Sequence, residues 1–174
     1  TTYAGGSAQL ALFSARNEVE SFLVVINGGQ HGLNGVTVGA PTALMQGAAA
    51  TLHAAHYVAV TKPSGCTGQV GPWPDPLIPA VDVFVSQKRN AFPLSVPAGQ
   101  NRMVWVDVFV PKTAAPGTTT HQIAVRGSGG PIATLQLNLT VLNFTLPTPP
   151  TMASLFGHGA DWSMIEAEHA PASS

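Results

Sequence analysis

The sequence predicts an all-β fold, an antiparallel β-sandwich, and three observations carry that reading. Apolar residues recur with period two over most of the chain. Clusters of Gly, Pro and Asn interrupt the alternation at short intervals. No long amphipathic helical pattern occurs before residue 150. Roughly eight short strands separated by turn signals suit two packed sheets with immunoglobulin- or fibronectin-like layering.

Taken in order, strands are expected at residues 9–13 and 18–26, then at 36–38, 55–61, 81–85 and 92–96. Three more follow at 101–110, 119–126 and 133–144. A short helix is expected within "ALMQGAAATLHAA" at 43–55. The last strand, "ATLQLNLTVLNF", sets Leu135, Leu137, Leu139 and Val141 on one face and Thr134, Gln136, Asn138 and Thr140 on the other. It is a half-buried strand with one wet face. "NRMVWVDVFV" differs: Val104, Val106, Val108 and Val110 make a β-branched core face, while Met103, Trp105, Asp107 and Phe109 make a second face too apolar for water. That strand is expected to be central and covered on both sides. "NGGQHGLNG", "GPWPDPLIP", "VPAGQN" and "PKTAAPGTTT" read as loops.

The alternation stops at "LPTPPT", where closely spaced prolines make a stiff spacer. The expected organisation is therefore a sandwich over residues 1–146, a linker over 147–151, and over 152–174 the start of a following domain or a tail.

Composition narrows the function classes. The 174 residues include seven Lys and Arg against eight Asp and Glu, for a net charge of −1, with no basic cluster. That balance argues against a nucleic acid or an anionic membrane as partner. Apolar runs fall short of the ~20 residues that a membrane helix needs. One cysteine, Cys66, excludes an internal disulfide. Few lysines with abundant Thr, Ser, Ala and Gly suit a secreted or cell-envelope bacterial protein.

Three of those fifteen charges, Arg16, Glu18 and Glu20, crowd the entrance to the apolar run "FLVVI". Alternate strand residues share a face about 7 Å apart, so these three need partners on another strand or domain. They serve either to discourage edge pairing or as a polar latch against a neighbouring domain. Two carboxylates on one strand with no cleft do not make a glycosidase acid/base pair. Trp73 and Asp75, on the proline-fixed loop, are candidate carbohydrate contacts, although a large aromatic there more often plugs the core. Trp105, Asp107 and Phe109 read as a covered interface. His53 and His56 fall on opposite faces of a strand with no third ligand nearby, so neither a metal nor another cofactor is expected. No nucleophile elbow or phosphate loop is present, and no catalytic residue is assigned.

Four stretches in order, "LFSARNEVESFLVVI", "WPDPLIP", "NRMVWVDVFVPKTAAPG" and "VLNFTLPTPPTMASLFG", resemble the N-terminal β-sandwich of bacterial proteins similar to glycoside hydrolase family 123. The resemblance spans residues 10–157; after the "PG" turn, "TTTHQ" stands where relatives place an aromatic and a glycine. It implies a (β/α)₈ barrel after the sandwich, with "SLFG" as its first strand and a β-N-acetylgalactosaminidase activity in the whole protein. The family's catalytic Asp–Glu pair lies on a later barrel strand, and no residue of this chain matches it. The chain is then expected to be a non-catalytic scaffold whose partner is the barrel. Its candidate interface is Arg16, Glu18, Glu20, Trp105, Asp107 and Phe109. The alternatives are a stand-alone carbohydrate-binding module, with a glycan as partner, and a structural or adhesive surface domain.

Overall fold

The first two strands are one alternating run broken at a single residue. β1 (Gln9–Arg16) and β2 (Glu18–Asn27) flank Asn17, which sits at φ 63°, a left-handed conformation that Asn tolerates and β-branched residues resist. The kink carries the chain from one sheet to the other. The computed structural model describes residues 9–63, 65, 68–82 and 84–149. Its remaining strands are β3 (Leu33–Val38), β4 (Ala49–Val60), β5 (Gly71–Pro79), β6 (Leu94–Val96), β7 (Asn101–Val110), β8 (Gly117–Gly127) and β9 (Gly130–Thr145).

They form a five-stranded sheet in the order β1-β9-β8-β3-β6 and a four-stranded sheet in the order β2-β7-β4-β5. The alternation predicted for β7 and β9 is what fills the space between the sheets. Val104, Val106, Val108 and Val110 from β7 are fully buried, as are Leu137 and Leu139 from β9 and Val36 from β3. Ile123 of β8 and Val96 of β6 complete the same cluster. Pairing is antiparallel throughout except where β1 runs parallel to β9, from Gln9 opposite Gln136 to Arg16 opposite Thr145.

Several expectations are corrected. The stretch "GPWPDPLIP" is a strand, β5, pairing antiparallel with β4, and not a loop. Proline cannot donate to a ladder on both sides, so a strand with Pro72, Pro74, Pro76 and Pro79 is possible only at an edge, where β5 lies. The helix expected within 43–55 is absent; from Ala49 onward the segment is β4, whose Ala50, Leu52 and Ala54 pair with Val108, Val106 and Val104. Ladder bonds and the apolar inner face override the helical propensity of alanine there. The strand expected at 81–85 is reduced to an isolated bridge between Val81 and Lys88. Cys66 and the segment 152–174 lie outside the described residues.

The two sheets differ on their outer faces. On the five-stranded sheet the outer face of β8 and β9 is polar: Thr118 bonds Thr140 at 2.9 Å and Thr120 donates to Asn138 at 3.0 Å. It turns apolar toward the Arg16 end, with Phe13, Leu142 and Phe144 exposed, and at Ile132 near the start of β9. The outer face of the four-stranded sheet is apolar along most of its length.

Candidate functional site

That outer face is assembled by register. Val19, Ser21, Leu23 and Val25 of β2 stand opposite Phe109, Asp107, Trp105 and Met103 of β7. On the other side of β7, Thr51 of β4 faces Asp107 and His53 faces Trp105. Leu23 is 46% exposed, and Val19 and Val25 are each 55% exposed. Trp105, Phe109 and Met103 are half-buried. Large apolar side chains exposed in adjoining rows form a continuous patch, the kind of surface that marks an interaction site.

A polar knot sits in its middle. Oδ1 of Asp107 accepts a hydrogen bond from Ser21 Oγ at 2.5 Å and another from Trp105 Nε1 at 2.6 Å. Oδ2 lies 3.8 Å from His53 Nδ1, and that buried nitrogen has no hydrogen-bond partner among the described residues. Ser, His and Asp are all present, but the serine hydroxyl donates to the carboxylate and has no imidazole base. The arrangement does not activate a nucleophile. What it does is restrain the Trp105 side chain, because the indole N–H is tied to a carboxylate two residues away on the same face.

The other predicted residues lie elsewhere. Glu18 and Glu20 stand opposite Val110 and Val108, so they face the inter-sheet side of β2 and not the side that carries Trp105, Asp107 and Phe109. Glu18 accepts a 2.6 Å bond from the Ala15 amide across the kink. Arg16 ends β1, where its guanidinium reaches Asn143 Oδ1 at 3.5 Å and leaves the buried Nε without a partner among the described residues. The six residues expected at one junction therefore divide among three places: Arg16 at the end of β1 in the five-stranded sheet, Glu18 and Glu20 on the inter-sheet side of β2, and Trp105, Asp107 and Phe109 on the outer face of β7. Trp73 does not plug the core: it is 44% exposed on the edge strand, its Nε1 donating to the Gln69 carbonyl at 3.1 Å. Asp75 is exposed nearby. His56 is exposed at the β4 bulge between Ala55 and Tyr57. Among the described residues no group of three or more His, Cys, Asp or Glu is placed to hold a metal ion. Nor is any helix there long and apolar enough to cross a membrane.

Two features escaped the sequence reading. The Ser21–Asp107–Trp105 knot depends on the β2–β7 register, which no local pattern shows. The turn after β5 is equally hidden. Asp82 accepts bonds from the Phe84 and Val85 amides at 2.9 and 3.2 Å and pairs with Arg89 at 2.6 Å, leaving Phe84 94% exposed. The Arg89 hydrogen bond, helped by those two amides, holds the Asp82 carboxyl below its ordinary range.

No protein-family model matches the chain, and no curated protein matches it. Among solved structures it is similar to a family 123 glycoside hydrolase from Clostridium perfringens, described as acting in glycolipid glycan hydrolysis. The TM-score is 0.58 and the identity 16%, over 80% of this chain and 23% of that one. It also aligns with the N-terminal domain of PorA, with a TM-score of 0.43 and 13% identity over 81% of this chain and 92% of that one. A secreted serine protease, VesC from Vibrio cholerae, aligns with a TM-score of 0.39 and 13% identity over 77% of this chain and 21% of that one. The last two scores are too low to define a shared fold. Fold and face together define a two-sheet β-domain with an apolar outer surface. Its fold is that of one segment of a family 123 glycoside hydrolase, and it spans about a quarter of that enzyme's length, 23%.

Proposed function

We propose that this chain is a non-catalytic accessory domain of a glycoside-hydrolase-like protein, a scaffold that packs its four-stranded sheet against a catalytic barrel of the same polypeptide. The observation that carries the reading is the unequal treatment of the two sheets. One wears a ladder of Thr, Asn and Gln over most of its outer face; the other shows Val19, Leu23, Val25, Trp105 and Phe109. Contiguous apolar rows along an outer sheet face mark a surface that packs against a partner. The fold likeness to part of a family 123 enzyme supports the same reading.

The test is a calorimetric titration of the chain with N-acetylhexosamine-containing and plain glycans, alongside a hydrolysis assay. The expected result is no saturable binding and no turnover. Saturable binding lost in Trp73→Ala would replace this reading with that of a carbohydrate-binding module, which the exposed Trp73 beside Asp75 on an edge strand favours as the second reading.

A further inference from the structure

We infer that β1 is an open docking edge whose occupant is a second copy of this chain, paired antiparallel about a two-fold axis at Ala11. The inference goes beyond the accessory reading and uses the other sheet, so the apolar face of the four-stranded sheet stays open to the partner proposed above.

A sheet edge is a row of unpaired N–H and C=O groups that invites another strand. Three of the four edges here are blunted. β5 carries Pro72, Pro74, Pro76 and Pro79, β2 sets Glu18 and Glu20 at its open end, and β6 is only 3 residues long. β1 closes the five-stranded sheet with none of these devices. From Gln9 to Ala15 it has no charge, proline or glycine, and among the described residues it pairs only with β9.

The hydrogen bonds say which groups are open. The Arg16 carbonyl accepts from the Leu146 amide of β9 at 2.9 Å, so Arg16 turns toward β9. Ala15 turns away: its amide donates to Glu18 Oε2 at 2.6 Å and its carbonyl accepts from Ser14 Oγ at 2.9 Å. The register shift near this point places its extra residues on β9, between Val141 and Thr145. Alternation along β1 is therefore unbroken, and Phe13, Ala11 and Gln9 point their N–H and C=O groups off the sheet as Ala15 does. Ala15 is already capped, which leaves those three. Antiparallel pairing centred on Ala11 uses all of them, with Ala11 opposite Ala11 and Phe13 opposite Gln9 on both sides, each pair exchanging two bonds. Moving the centre to Leu12 would put Gln9 opposite the capped Ala15.

Side chains and charge favour a second copy in that register. Leu10, half-buried at the rim of the core, and Leu12 would face their counterparts Leu12 and Leu10, extending the apolar layer across the axis. Gln9, Ala11 and Phe13 all lie exposed on the outer side. The paired stretch is uncharged, so like meets like without repulsion. Ala15, beside its Glu18 cap, lies four residues from Ala11, so the two caps would stand about 26 Å apart, well beyond a Debye length of about 10 Å. A two-fold pair also closes on itself and leaves only the short β6 edge at either end of the joined sheet.

The experiment is sedimentation velocity of the full chain under reducing conditions across a wide range of concentration. The expected result is a reversible dimer. Ala11→Glu and Ala11→Lys, made at an exposed side chain, should keep the parent's melting temperature yet each weaken self-association by about fivefold or more. An equimolar mixture of the two should restore the dimer, because opposite charges then face each other across the axis. A parent chain that stays monomeric overturns the inference, and so does a dimer that appears only when residues 1–8 are deleted, which would assign the edge to the chain's own N-terminus. A dimer indifferent to both Ala11 variants but lost in Leu23→Asp assigns self-association to the four-stranded sheet and overturns it too. Failure of the mixture to recover removes the two-fold register at Ala11. The accessory reading is decided separately, by glycan titration.

Discussion

Asp82 shows how one carboxylate organises a turn. It is half-buried and caps the Phe84 and Val85 amides while gripping Arg89. Because its folded-state pKa is depressed, the order it imparts is present above the ordinary Asp value and is lost as pH falls through the lowered value. Amide shifts of Phe84 and Val85 followed by NMR should therefore titrate below the ordinary aspartate range, while the core amides stay put. In Asp82→Asn the same amides should show the loosened turn at neutral pH. The core and the outer face also differ residue by residue. Leu139, with no exposure, is expected to cost about 2–5 kcal/mol on replacement by alanine. Leu23, nearly half exposed, should cost only about 0.5 kcal/mol or less in the chain if nothing covers it, and more once it is covered. Urea denaturation of the two variants compares them directly. His121, buried with its Nδ1 2.9 Å from the Thr42 carbonyl and Nε2 2.7 Å from Thr119 Oγ1, is a satisfied core histidine.

At the scale of elements, both edges of the four-stranded sheet are guarded, by different means. β5 carries four prolines and cannot extend the ladder. β2 turns Glu18 and Glu20 toward the inter-sheet side at its open end, so another strand docking there would bury charge. This accounts for two of the chain's few charges, Glu18 and Glu20, standing before its most apolar strand. Replacing Glu18 and Glu20 together with valine should give concentration-dependent association beyond a dimer by analytical ultracentrifugation; nothing larger than a dimer at any concentration would count against edge protection. Asn17 joins the two sheets in the left-handed conformation. Asn17→Val is expected to lower stability by at least about 1–2 kcal/mol, from the Cβ clash and the lost side-chain bonds to Leu146 and Thr148, and Asn17→Gly by less. Thermal melting of the pair separates backbone strain from lost hydrogen bonds.

At the scale of the molecule, the alternation in β7 and β9 was enough to read the sandwich core, since period two admits one inward face and Val and Leu fill it. The apolar second face of β7 was legible for the same reason. Its central place between β2 and β4 follows from that pattern too. The sequence alone thus determined that the chain is β, which residues make its core, and that one strand carries more apolar surface than one sheet can hide. What only the tertiary structure decided is partnership: β1 lying parallel to β9, the proline-rich run zipped to β4 as an edge, and Asp107 meeting Ser21 and Trp105. It also decided that Glu18 and Glu20 face away from Trp105. Alternation records which side of a strand is apolar, a local property of the backbone pleat. Neighbour and register arise from contacts between residues as far apart as Gln9 and Gln136, and those are set by how the whole core packs.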